Sequence, residues 1–76
     1  MKETKYIYDI YGRMQMEVIC CDQSRIAYRV VSGRRQLETD FVIPDGYTAE
    51  QICIYLDDMF HEQAKPGQEI RLISYS

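Results

Sequence analysis

The stretch TAEQICIYLDDMFHEQAK, Thr48 to Lys65, decides the fold. Wound at about 100° per residue, it gathers Ile52, Leu56, Met59 and Phe60 on one face, with Cys53, Tyr55 and Ala64 on the margins, the stripe of an amphipathic helix. Its start carries a capping box, because the Thr48 hydroxyl can accept from the Gln51 amide while the Gln51 side chain reaches back. Glu50 falls in the first turn, where the helix dipole favours a carboxylate. Lys65, Pro66 and Gly67 then close the helix with a cation, a breaker and a residue free to take positive φ. A helix with one apolar face must bury it against another element, and the rest of the chain reads as strands.

Immediately upstream, Pro44-Asp45-Gly46 is the strongest break in the sequence. The polar run Gln36 to Asp40 followed by Phe41-Val42-Ile43 predicts a short fourth strand ending at the proline. Ser32-Gly33-Arg34-Arg35 is a turn, and Arg25 to Val31 before it alternates Ile26, Tyr28 and Val30 with Arg25, Ala27 and Arg29. Asp22-Gln23-Ser24 makes the preceding reversal. Met14 to Cys21 sets Met14, Met16, Val18 and Cys20 against Gln15, Glu17, Ile19 and Cys21. Lys5 to Tyr11 sets Tyr6, Tyr8 and Ile10 against Ile7, Asp9 and Tyr11, and Gly12-Arg13 suits a type II′ turn between these two strands. Downstream of the helix, Glu69 to Tyr75 predicts a fifth strand. The expected fold class is therefore α+β, an antiparallel sheet of four to five strands with one amphipathic helix on one face, in the order β-β-β-β-α-β.

With 76 residues the chain has material for one hydrophobic core, so residues 1–76 are expected to form a single domain. Apolar residues at 46% and charged residues at 28% match folded rather than disordered chains. A net charge of −3 opposes nucleic-acid binding, which needs a basic surface, and Arg34-Arg35 alone is a solvated turn. The charged opening Met1-Lys2-Glu3-Thr4-Lys5 contains no apolar run of signal or membrane-spanning length, so a soluble cytoplasmic protein without membrane or nucleic-acid partners is expected. Three cysteines, two of them the adjacent Cys20 and Cys21 on opposite strand faces, argue against a disulfide framework and for a reducing compartment.

The densest set of titratable groups is Asp57, Asp58, His61 and Glu62, which helical spacing brings together on the outer helix face. The set could orient an imidazole or offer two or three metal ligands, but structural zinc sites use four Cys or His at recognisable spacing, and here there is one His. A solvated face of charged pairs is the ordinary reading. There is no G-x-S-x-G, no Cys near a His and no Gly-rich phosphate loop, so neither an enzyme nor a cofactor is expected. Seven tyrosines are the composition's unusual feature. Tyr6, Tyr8 and Tyr28 are in phase with apolar neighbours and are expected under the helix. Ile7, Tyr11, Ile19 and Tyr75 are expected on the other sheet face, where an apolar patch without a second helix marks a contact surface. Ile54 is the apolar misfit on the outer helix face.

Tyr11-Gly12-Arg13, Val42-Ile43-Pro44 and the run from Tyr55 through Asp58, His61, Glu62 and Ala64 to Gly67 resemble a small uncharacterised bacterial family. Its members show an aromatic or apolar residue, Gly and Arg after a first strand, an apolar-Ile-Pro step, and a helix ending Asp-(Leu/Met)-Phe-His-Glu-x-Ala. The resemblance covers most of the chain and implies no activity. It implies an orphan protein of the kind carried on integron and other mobile gene cassettes. It also implies a local structural role for Asp58, His61 and Glu62, with His61 capping the helix end or holding the turn that follows. The expected function is a non-enzymatic interaction or oligomerisation module, a homo-oligomer or an adaptor for another protein. The alternatives are a mobile-element accessory protein or inhibitor that binds a host complex, and a small metal-dependent enzyme or metal-binding protein using Asp57, Asp58 and His61.

Overall fold

The computed structural model describes residues 3–76; Met1 and Lys2, which open the charged N-terminal run, lie outside the described residues. Strands β1 (Glu3–Ile10), β2 (Met14–Cys21), β3 (Ser24–Val31) and β4 (Arg34–Leu37) form an antiparallel meander. Helix α1 (Ala49–Phe60) follows with one 3-10 turn, His61–Gln63, and β5 (Ile70–Tyr75) returns antiparallel to β1. The sheet order is β4-β3-β2-β1-β5, and the α+β class and element order agree with the sequence reading.

The turns set which side chains lie under the helix. Tyr11 and Gly12 both have positive φ, 55° and 72°, and the Arg13 amide donates to the Ile10 carbonyl at 3.0 Å. Two positive φ values in succession are the signature of a type I′ turn, one residue earlier than the type II′ turn the sequence predicts. At Asp22-Gln23 a two-residue turn pairs Cys21 with Ser24, and counting back sets Val18 opposite Ala27 and Glu17 opposite Tyr28. Thus β3 turns Arg25, Ala27 and Arg29 to the helix side and Ile26, Tyr28 and Val30 to the other. Tyr28 is not under the helix with Tyr6 and Tyr8.

Between sheet and helix lie Tyr8, Ile10, Met16, Val18, Ile52, Leu56 and Phe60, all nearly or fully buried. The Thr48 capping box is formed in both directions, at 3.2 Å and 2.9 Å. The inner stripe is narrower than predicted, since Met59 is exposed. The helix also stops earlier. Ala64 is already extended, at φ −75° and ψ 135°; a helix running on through Pro66 would lose a backbone hydrogen bond and set the proline ring against the Glu62 carbonyl.

A second correction concerns Phe41-Val42-Ile43. The last ladder bond on this edge runs from the Glu38 amide to the Ala27 carbonyl, after which the chain leaves the sheet and crosses back over its helix side. Ile43 is buried there, and the Tyr55 hydroxyl donates to the Val42 carbonyl. The helix-side arginines of β3 tie this loop down: Arg25 donates to the Tyr47 carbonyl, and Arg29 pairs with Glu38 at 2.6 Å beneath the ring of Phe60. A loop thus covers the part of the sheet that the single helix does not reach.

Candidate interaction surface

Among the described residues, no element covers the sheet face opposite α1. Its side chains stand in cross-strand rows. Lys5, Ile19 and Ile26 form one; Ile7, Glu17, Tyr28 and Leu37 the next; Asp9, Gln15, Val30 and Arg35 the third. Ile7, Ile19, Tyr28 and Val30 are half-buried by one another, and Ile26 and Leu37 are exposed at 42% and 58%.

Glu17, in the middle of this face, is only 9% exposed. Arg35 reaches it from the edge strand by lying across Tyr28, its guanidinium carbon 4.5 Å from the ring centroid, and donates to Glu17 Oε1 at 2.6 Å. A planar guanidinium can stack on an aromatic face and still present its fork to a carboxylate, which a lysine cannot. The bond to Glu17 is the chief reason the Arg35 pKa is raised further. With the carboxylate neutralised, the centre of the face is apolar surface around a satisfied ion pair, the composition of a protein contact surface.

Of the residues expected here, Ile7 and Ile19 lie on this face and Tyr11 and Tyr75 do not. Tyr11 falls in the turn, where strand alternation no longer applies; its left-handed backbone sends the ring into the core, 4% exposed, and its hydroxyl donates to Asp57 Oδ1 at 2.7 Å. Tyr75 is displaced by a bulge. Ile7 pairs with Ser74 and Tyr8 with Leu72, so Ile73 is an extra residue, and Tyr75 returns to the helix side beside Tyr6, ring centroids 6.4 Å apart. Ile26, Tyr28, Val30, Leu37 and the Glu17–Arg35 pair were not foreseen on this face. The signal for the β3 residues was in the Asp22-Gln23 turn, since a two-residue connection fixes the phase of the next strand.

The outer face of α1 forms a shallow groove of about 470 Å³ lined by Tyr47, Gln51, Ile54, Tyr55, Asp57, Asp58 and His61. Ile54 is exposed there as predicted, at 64%. Glu62 is exposed on the 3-10 turn outside this lining, and His61 is the C-cap of α1, its carbonyl accepting from the Ala64 amide at 3.1 Å. Asp57 is engaged by Tyr11. Burial and the Asp57 bond push the Tyr11 phenol up to about 12. Among the described residues no three His, Cys, Asp or Glu side chains gather to hold a metal ion. The three cysteines are free. Burial pushes the Cys20 and Cys53 thiols up, Cys53 further under the nearby Asp57 carboxylate, the opposite of what activates a thiol. Every buried side-chain nitrogen and oxygen among the described residues has a hydrogen-bond partner.

These features define a class: among the described residues, a four-stranded antiparallel meander extended by β5 at its β1 edge, with one helix and one loop on one face and an uncovered, largely apolar face opposite. The sequence pattern of a domain of unknown function, DUF7661, matches residues 5–74, and the chain belongs to that family. Membership of an uncharacterised family of small proteins is what the motifs at Tyr11, Val42 and Asp58 implied. No curated protein and no solved structure matches the chain. Among the described residues no helix is long and apolar enough to cross a membrane.

Proposed function

We propose that the protein is a non-enzymatic interaction module that meets a protein partner, or further copies of itself, through the open sheet face. The observation that carries this reading is the contiguous surface of Ile7, Ile19, Ile26, Tyr28, Val30 and Leu37 around the Glu17–Arg35 pair. Apolar patches of this kind mark contact sites more often than they stay bare. Thiols kept free and pushed toward protonation fit a cytoplasmic setting. The test is a photo-crosslinking amino acid in place of Ile26, in cells that make the protein, with Ile54 as the comparison site. A discrete protein adduct from position 26 and none from position 54 is the expected result.

The groove favours a second reading, an accessory protein or inhibitor, of mobile-element origin, that engages a host complex through its acidic helix side. Its apolar floor at Ile54, Tyr47 and Tyr55 beside Asp57 and Asp58 suits a basic partner. In the same experiment that reading gives the adduct from position 54 instead. The metal-dependent alternative has no assembled ligand set to rest on among the described residues.

A further inference from the structure

We propose that β5 is a pairing edge, and that its occupant is the β5 of a second copy of this chain, related by a two-fold axis. This does not depend on what meets the open face. The sheet has two edges, and they are built differently. The β4 edge is four residues long and begins with two arginines, the short, charged form that blocks stray strand pairing. The β5 edge has six residues, Arg71 as its one charge, and Leu72, Ile73 and Tyr75 exposed at 39%, 50% and 71%.

Its backbone is available at a definite position. Lys5 and Ser76 exchange both amide–carbonyl bonds, at 2.8 Å and 2.9 Å, so the adjoining pair, Tyr6 and Tyr75, is a non-bonded one. The Tyr75 amide and carbonyl therefore point to the free edge.

The strand is complementary to itself. In the antiparallel register that sets Arg71 opposite Ser74 of the second copy, Leu72 meets Ile73 and Ile70 meets Tyr75. Apolar residues then face apolar residues, Arg71 faces a hydroxyl, and no like charges oppose, which is what cross-strand pairing favours. The bulge helps, since the extra Ile73 brings Ser74 onto the same side as Arg71. A two-fold axis between antiparallel edge strands stands perpendicular to the sheet. Both helices then lie on one side of a ten-stranded sheet, and the two open faces lie side by side on the other, presenting a surface of twice the width.

Sedimentation velocity at increasing concentration, with amide hydrogen exchange on the same samples, tests the proposal. The expected result is a monomer–dimer transition in which the Tyr75 amide exchanges more slowly as the dimer fills, and a monomer at all concentrations for Tyr75→Pro and Ile73→Lys. Tyr75→Pro removes an outward-facing donor and leaves the bonds to β1 in place. A wild-type chain that stays monomeric overturns the proposal. So does a dimer that survives both substitutions, or one that Ile26→Lys abolishes while Tyr75 exchange is independent of concentration. If either variant fails to fold, the wild-type exchange of Tyr75 decides alone.

Discussion

Tyr11 holds a left-handed backbone that costs a non-glycine residue about 1–2 kcal/mol. In return its ring is buried and its hydroxyl anchors Asp57, linking the first hairpin to the last turn of α1. Replacing it by phenylalanine keeps the ring and removes the bond; a loss of about 1 kcal/mol is expected, a fall of roughly 4–8 °C in Tm. The same residue sets an alkaline limit. An unfolded tyrosine titrates near 10 and folded Tyr11 near about 12, with Tyr8 also pushed up by burial, so the folded chain keeps protons that the unfolded chain releases. The stability that these phenols contribute is full below pH 10 and falls as pH rises from 10 through 12. Urea midpoints at pH 9 and pH 11 should show this fall, and Tyr11→Phe should lessen it. On the open face, Arg35→Ala leaves the little-exposed Glu17 carboxylate unpaired and should destabilise the chain. Adding Glu17→Gln should recover part of that loss, a coupling that a double-mutant cycle measures directly.

Among the elements, α1 was the most legible because its information is local: the cap is four residues long and the apolar stripe lies within the helix. Thr48→Ala should cost about 1 kcal/mol by urea denaturation. Its far end was less legible because the stop is set by Pro66, beyond the stripe, while Ala64 still matches the pattern. The predicted fourth strand ending at Pro44 differs from the observed Arg34–Leu37 for another reason. Phe41, Val42 and Ile43 have strand composition, but their burial comes from crossing the sheet over Arg25 and Arg29, a tertiary relation that periodicity does not carry. A plain contrast follows: Ile43→Ala should cost about 2–5 kcal/mol, as a core residue does, and Val42→Ala, 76% exposed, should stay within about 0.5 kcal/mol.

For the whole molecule, the uncovered face follows from one amphipathic helix for five strands among the described residues. Which side chains occupy that face was only half legible. Ile7 and Ile19 follow from alternation, whereas Tyr28 depends on the phase across Asp22-Gln23, Tyr75 on the bulge at Ile73, and Tyr11 on a positive φ. The corrected face is more apolar than the predicted one and carries its own neutralised charge. The most direct test of its role is photo-crosslinking in cells that make the protein. From position 26 a discrete protein adduct is predicted, with none from position 54; no adduct from position 26, or an adduct from position 54 alone, would contradict the open sheet face as the contact surface.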